Sequence, residues 1–305
     1  MVPYFSWKIT HARHHRYTNN TERDTAFVPW TEKEYDTRPR YFPAWFEMFE
    51  DTPVYNLISL LAHQIAGWQM YLCFYVSAGA KSKPVPQGKQ SGWFGGQQSA
   101  SHFDPGSSLW TENQRHLIAI SDLGLLLVAA ANWYLAQRVG VLRMVLIYVV
   151  PYFWVHHWLG MSYIPLTSVS ATVILILLAA VAITYLHHTH PSIPHYTDNT
   201  WTFTKGALST VDRDFGFIGR HFFHHIIDHH VVHHLFNRIP FYHAEEATNA
   251  IIPVLGDMYH REETGFLWSL METYKNCRFV GVEKDVGKEG VLHWVFEEKM
   301  GAKAE

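Results

Sequence analysis

Histidines recur with one spacing at three places in the chain. The pattern His-x-x-His-His occurs at residues 11–15, 221–225 and 230–234. With 22 histidines among 305 residues, chance predicts roughly 0.1 occurrences of this pattern. Positions i, i+3 and i+4 lie on one face of a helix, so each triplet can present its imidazoles towards one point. The pattern therefore predicts metal binding.

Two of the three triplets are predicted to share a site. The triplets at 221–225 and 230–234 are nine residues apart, which is about 180° of rotation on a continuous helix. They would face opposite ways, so we expect the later triplet to join the first one. The spacing then gives six candidate ligands: His11, His14, His15, His230, His233 and His234.

The type of ligand does not identify the metal, because Zn, Cu, Fe and Ni all accept imidazole. A structural zinc site normally closes with four ligands. Six or more histidines favour two metal ions with coordination positions left open for a small molecule. Beside a membrane, such a pair favours oxygen chemistry on a lipid.

Long uncharged runs separate the polar ends that carry these histidines. Residues 144–197 and 52–80 contain no Asp, Glu, Lys or Arg, and residues 117–137 contain only Asp122. The longest run would form about 80 Å of helix, enough for two crossings of a roughly 30 Å hydrocarbon core. We therefore predict an all-α, polytopic membrane protein with a histidine-rich polar cap. The alternative is a set of buried helices in a large soluble protein.

Composition excludes other classes of protein. The chain has 24 Lys and Arg against 27 Asp and Glu, a formal charge of −3, which excludes a polycationic nucleic-acid binder. Its two cysteines, Cys73 and Cys277, cannot form a disulfide framework or, alone, a thiolate zinc site.

Five segments carry a distinctive sequence: residues 6–15 (SWKITHARHH), 22–29 (ERDTAFVP), 185–191 (YLHHTHP), 206–214 (GALSTVDRD) and 230–247 (HVVHHLFNRIPFYHAEEA). They resemble the membrane fatty acid desaturase family, most closely the oleate (delta-12) type of fungi and plants. The first two are similar to its second histidine box, the next two to the segments after its last span, and the last to its third box. The similarity covers nearly the whole chain.

The resemblance implies a non-haem di-iron enzyme that removes two hydrogens from an acyl chain, using molecular oxygen and two electrons. The six histidines above carry over as iron ligands, and His188 stands where the family places a further ligand. His224 also occupies a family histidine position and is a candidate ligand or orienting residue. Asp212, in the matching stretch 206–214, is a capping carboxylate or a group that orients a ligand imidazole.

The resemblance also implies partners and a location. Electrons would come from a separate b-type cytochrome and its NADH reductase, and the substrate would be a membrane-associated fatty acyl lipid. The protein would be integral to the endoplasmic reticulum, with its histidine boxes on the cytosolic side. The implied reaction is oleoyl to linoleoyl. Omega-3 desaturation, hydroxylation, epoxidation, acetylenation and an inactive metal-binding fragment are the alternatives.

The chain departs from the family in two ways. Residues 1–305 form a single desaturase domain that lacks the preceding spans and the first histidine box, so we expect an incomplete ligand set and little activity. Residues 160–180 match nothing in the family. Without them, residues 159 and 181 would join into a continuous sequence that resembles the family, so we interpret residues 160–180 as a retained in-frame intron. An extra crossing there would put the triplet at 230–234 on the opposite side of the membrane from that at 11–15, and we expect it to split the site.

Overall fold

The computed structural model describes residues 2–38, 42–84, 100–149, 180–214, 224–225, 227–282 and 290–295. Two interpretations of the sequence fall outside these residues. They are the retained intron at 160–180, of which only residue 180 is described, and the complete triplet at 221–225.

The described residues are largely helical, as predicted. The α-helices are α1 (Tyr4–Tyr17), α2 (Glu32–Asp36), α3 (Ala44–Glu47), α4 (Pro53–Phe74), α5 (Arg115–Val139), α6 (Val141–Met144), α7 (Ala180–His188), α8 (Phe203–Leu208), α9 (His230–Leu235), α10 (Ala244–Leu255) and α11 (Phe266–Asn276). Short 3-10 turns lie at Glu112–Gln114, Phe241–His243 and Gly256–Met258, and a π-helical turn lies at Val145–Val149.

Helix α5 continues a 3-10 turn, and the combined stretch Glu112–Val139 is long and apolar enough to cross a membrane. Only 11% of its most apolar window is buried within the protein, unlike the core helix of a soluble protein. Leu126 and Trp133 are 67% and 69% exposed. Among the described helices no other meets the same test of length and composition. The exposed apolar face fits contact with lipid.

Helix α4 begins and ends with recognisable caps. The Thr52 hydroxyl accepts a hydrogen bond from the Tyr55 backbone N–H at 3.2 Å, and Pro53 occupies the first turn, where its missing N–H costs nothing. The helix ends at Phe74 and is followed by its C-cap Tyr75, whose φ of 54° is left-handed. The chain then returns towards the first helix.

The fold also contains two small sheets, which were not predicted from the sequence. The strands are β1 (Trp30–Thr31), β2 (His195–Tyr196), β3 (Asp212–Arg213), β4 (Arg261–Glu262), β5 (Phe279–Val282) and β6 (Val291–Trp294). The first sheet has the order β1-β5-β6-β2, and the second pairs β3 with β4 in parallel. The expectation of an all-α fold is corrected to this extent.

A buried apolar cluster joins the helices beneath the polar cap. It contains Leu60 of α4, Leu186 of α7, Leu270 of α11 and Ile227. Leu186 lies two residues before His188, and Ile227 lies three residues before α9. Burial of these side chains therefore fixes α7 and the start of α9 relative to each other.

Hydrogen bonds hold α1 against the later part of the chain. The Trp201 indole N–H donates to the Thr18 carbonyl at 2.9 Å, and the Thr21 N–H donates to the Tyr196 carbonyl at 2.9 Å. The Asn19 side-chain amide donates to the Ser209 carbonyl. These bonds connect the segment after α1 directly to residues 196–209.

Candidate metal centre

Helix α1 positions the first histidine triplet. Its buried residues are polar: Ser6, Thr10, His14 and His15. The Ser6 hydroxyl donates to the His102 carbonyl at 2.6 Å, so the helix is held by hydrogen bonds as well as by packing. A helix buried through polar side chains is expected where those side chains have a function.

Helix α9 positions the second triplet, and Asp212 fixes its first turn. The Asp212 carboxylate accepts from the Val231 backbone N–H at 2.7 Å and from the Tyr259 hydroxyl at 2.7 Å. Burial raises the pKa of Asp212 to about 7, although these hydrogen bonds oppose the shift. Asp212 thus caps the helix that carries His230, His233 and His234.

Helix α7 contributes its last residues to the same region. The buried His187 ring lies with Nδ1 2.7 Å from the Val211 carbonyl, and a carbonyl only accepts, so Nδ1 donates. The Arg213 Nε donates to the Leu186 carbonyl at 3.1 Å. These bonds fix the end of α7, where His188 follows.

One group of histidines combines His11 and His15 of α1 with His233 of α9. Their candidate ligand atoms all lie within 4.8 Å of one another. The Nε2 atoms of His11 and His15 are 3.1 Å apart, and the ring centroids of His15 and His233 are 4.4 Å apart. Three converging imidazoles from two helices could hold one metal ion.

A second group combines His14, His188 and His234, all buried, with candidate ligand atoms again within 4.8 Å of one another. The Nε2 atoms of His14 and His188 are 3.1 Å apart. His230 joins them, because its Nε2 lies 3.1 Å from Nε2 of His188 and 3.1 Å from that of His234. Four imidazoles from three helices therefore converge.

The two groups are neighbours. The rings of His15 and His234, one from each group, stack with centroids 4.3 Å apart. Each triplet is divided between the groups, so the expectation that each triplet faces one point is wrong. His11 and His15, at positions i and i+4 of α1, face the first group. His14, at position i+3, is rotated about 60° around the helix axis from His11 and faces α7.

Asp24 determines which nitrogen of His14 faces the second group. Its Oδ1 lies 2.7 Å from His14 Nδ1 and its Oδ2 accepts from the Asn19 backbone N–H. A carboxylate oxygen accepts, so His14 Nδ1 donates to Asp24 and Nε2 is the ring nitrogen that faces the second group.

Thr18 does the same for His234. The Thr18 hydroxyl donates to the His14 carbonyl at 2.7 Å, so its oxygen accepts from His234 Nδ1 at 3.0 Å. Nε2 of both rings therefore faces one buried group of imidazoles. A histidine whose Nδ1 donates to a protein oxygen presents Nε2 as the ligand atom, so this donor set fits a metal ion.

Burial keeps several of these imidazoles neutral. Burial, with a smaller contribution from neighbouring histidines, lowers the pKa of His11 to about 3 and that of His233 to about 4. The same causes lower the pKa of His234 well below its usual value. The neutral ring is the form that binds a metal, so the site is prepared for one at pH 7.

The remaining candidates lie apart from both groups. His224 is exposed, its φ is 50°, and its ring packs on Phe241 with centroids 4.7 Å apart. Asp212 contacts backbone and a tyrosine, as described above. The roles of Asp24 and Thr18 were not predicted from the sequence. Ligand histidines commonly donate their second ring N–H to a carboxylate, and Asp24 follows the first triplet closely, so this rule could have predicted its role.

The expectation of a split site is wrong. His11 and His15 lie in one group with His233, in a chain that contains residues 160–180. The physical reason is the direct hydrogen bonding of the segment after α1 to residues 196–209, together with the contact of α1 with α8. Helix α8 in turn contacts α9, so these interactions together hold the two triplets next to each other.

Comparison with known proteins identifies the class. The family model described as fatty acid desaturase matches residues 1–83 and 96–265. The chain therefore belongs to the fatty acid desaturase family.

Curated relatives cover nearly all of the chain. It is 38% identical over 314 residues to an oleate hydroxylase of Claviceps purpurea, covering 99% of this chain and 61% of that protein. It is 37% identical to an omega-6 fatty acid desaturase of the endoplasmic reticulum (isozyme 1) of Glycine max, covering 96% and 64%. Identity to a delta(12)-oleate desaturase of Trichosanthes kirilowii is also 37%, covering 96% and 68%. The chain thus spans roughly two thirds of the length of these relatives.

Proposed function

We propose that the chain belongs to an oxygen-dependent acyl-lipid desaturase that converts oleoyl to linoleoyl chains. The observation that carries the proposal is the pair of adjacent all-histidine groups, one formed by His11, His15 and His233, the other by His14, His188, His230 and His234. Family membership and the names of the relatives support the same reaction.

The two groups would hold two non-haem iron ions. Bound iron would supply the activation of molecular oxygen that an unactivated C–H bond requires. The overall reaction takes two hydrogens from adjacent methylenes, leaves a double bond, and reduces one O₂ to two waters with two electrons and two protons.

The chain's own residues prepare this chemistry. Asp24 and Thr18 orient His14 and His234, and Asp212 fixes the first turn of α9. Trp7 stacks on His11 with centroids 4.4 Å apart and covers one face of that ring. These ligands are buried or half-buried, and the hydrogen bonds and stacking that orient them limit both their movement and the access of water to the metal side.

The exposed apolar face of α5 supports a position in a membrane. We infer further spans, an endoplasmic reticulum location and histidine groups on the cytosolic side. Fatty acyl lipids would reach the site from the bilayer. Electrons would come from a b-type cytochrome and its NADH reductase.

Hydroxylation is the second candidate, because the Claviceps purpurea relative is named an oleate hydroxylase. Both reactions begin with the same unactivated acyl chain. Desaturation is the first candidate because several relatives are named desaturases.

Expression of the complete coding sequence in a host that makes oleate but no linoleate tests the proposal. Gas chromatography with mass spectrometry of the total fatty acids would reveal linoleate, and derivatised hydroxy acids would reveal the second candidate. A His14→Ala, His15→Ala double variant is the control for both metal groups. Absence of linoleate beyond this control, in cells that contain the protein, would overturn the first proposal.

A further inference from the structure

A third group of candidate metal ligands lies outside the two histidine groups. His225 and His229 precede α9, and Glu245 lies in the first turn of α10. Their candidate ligand atoms all lie within 4.8 Å of one another. The proposed desaturase chemistry uses none of these residues.

The two histidines are held close by the backbone. The His229 N–H donates to the His225 carbonyl at 3.1 Å, and the two rings stack at an angle of 28° with centroids 5.6 Å apart. His225 holds a φ of 60°, which a residue with a side chain adopts rarely. Such strain persists where the surroundings or a ligand compensate for it.

Polar atoms of this group are buried without a hydrogen bond. Among the described residues, Nδ1 of His225 and Nδ1 of His229 have no hydrogen-bond partner. A carboxylate oxygen of Asp228 lies 3.8 Å from His225 Nδ1. Buried polar atoms normally find a partner, so two orphaned ring nitrogens beside a carboxylate indicate a missing one.

We propose that His225, His229 and Glu245 bind a third divalent transition-metal ion, of which zinc fits best. Two imidazoles and one carboxylate are a ligand set that zinc accepts, and the fourth tetrahedral position remains for water. Glu245 is exposed and the other two residues are not, so the ion would lie at the protein surface.

Bound metal would connect the turn before α9 to α10. Helix α9 carries His230, His233 and His234, so the third ion would steady the backbone on which the two proposed iron groups depend. The proposed site is separate from those groups and does not depend on their being occupied by iron.

A pair of neighbouring glutamates gives a matched test. Glu245→Gln removes one candidate ligand, and Glu246→Gln removes the adjacent carboxylate, which pairs with His243 at 3.1 Å. Zn²⁺ is titrated into the purified iron-loaded protein, and binding is measured by competition with a chromophoric chelator. We expect Glu245→Gln to weaken zinc binding at the proposed site at least about tenfold, since even the loss of a group that only orients a ligand weakens metal binding by about 10–100-fold. Glu246→Gln is expected to leave zinc binding unchanged.

The histidines are tested by His225→Asn together with His229→Asn. Asparagine tolerates the left-handed backbone at 225 and is a favoured residue before a helix at 229, so the fold is expected to persist. Loss of the zinc with unchanged iron content supports the proposal. Equal zinc affinity in wild type and Glu245→Gln, or equal weakening by Glu245→Gln and Glu246→Gln, would overturn it.

Discussion

Single residues that bind no metal themselves determine how the histidines present their nitrogens. Asp24 accepts a hydrogen bond from Nδ1 of His14, and Thr18 accepts one from Nδ1 of His234. The other ring nitrogen of each histidine, Nε2, therefore faces the second group. The carboxylate also accepts two backbone N–H groups of the turn after α1. The orientation of His14 is thus tied to the shape of that turn.

Replacement of Asp24 tests this arrangement. We expect Asp24→Asn to weaken iron binding by about 10–100-fold, because an amide can also donate and no longer fixes the ring. Iron affinity is measured by competition with a chelator, and Asp51→Asn, at an exposed ion pair with Arg278, is the control. Equal iron affinity in both variants would contradict the role assigned to Asp24.

The lowered pKa values of buried histidines predict how stability depends on pH. The pKa of His233 is about 4 when folded and about 6.5 when unfolded. Between these values the unfolded chain binds more protons, so the metal-free protein loses stability as the pH falls from about 6.5 towards 4. The slope contributed by one such histidine is at most about 1.4 kcal/mol per pH unit.

Thermal unfolding of the metal-free protein in detergent, at pH 7.5, 6.5 and 5.5, measures this slope. His233→Gln removes one titrating group, so we expect its midpoint to fall less between pH 6.5 and 5.5 than that of wild type. Identical pH dependence in the two proteins would show that His233 is not held neutral by burial.

At the level of elements, the approach of α8 to the end of α1 holds the two halves of the centre together. A side chain at Gly206 would meet the Thr18 carbonyl and the Trp201 indole nitrogen. Only glycine allows this approach. The side-chain hydroxyl of Thr18 orients His234, so the same residue takes part in the packing of α8 and in the orientation of a candidate ligand.

Gly206→Ala is therefore expected to destabilise the fold by about 1–3 kcal/mol and to reduce iron content. Gly124→Ala is the control, since nothing lies within 4 Å of a side chain there, and alanine in a helix interior is neutral or favourable by up to about 1 kcal/mol. Denaturant unfolding measures both, and equal stability of the two variants would contradict the close approach.

The sequence predicted part of this arrangement for clear reasons. Helical periodicity placed His11 and His15 on one face, and the same rule applied to His230 and His234. Periodicity could not predict that His14 and His233 would join opposite groups, because that depends on how α1 and α9 are rotated against each other. Strands of two residues, such as β2 and β3, are too short to show an alternating pattern.

At the scale of the whole molecule, the exposed apolar side chains of α5 are the main sign of a membrane. The long apolar run at 117–137, whose only charged residue is Asp122, predicted this helix. The run at 144–197 was predicted to contain further spans, and most of it lies outside the described residues. The retained intron at 160–180 stays a prediction, which the absence of any spliced transcript in expressing cells would contradict.

Spin labels at Leu126 and Trp133 test the lipid contact of α5. Cys73 is exposed and is first replaced by serine, and Leu126→Cys and Trp133→Cys then carry the label in reconstituted vesicles. We expect both labels to be more accessible to dissolved oxygen than to a polar nickel complex, because oxygen partitions into hydrocarbon. A label at Asn113, at the start of the stretch, should show the opposite preference. Preferential access of the nickel complex to Leu126 would contradict membrane burial.

The central claim is that two adjacent histidine groups hold a pair of iron ions. Iron analysis with Mössbauer spectroscopy of the protein expressed from the complete coding sequence tests it most directly. We predict two iron ions per chain that are magnetically coupled, and loss of the coupled signal in both His15→Ala, from one group, and His14→Ala, from the other. A single iron ion, or two uncoupled ions that survive either substitution, would contradict it.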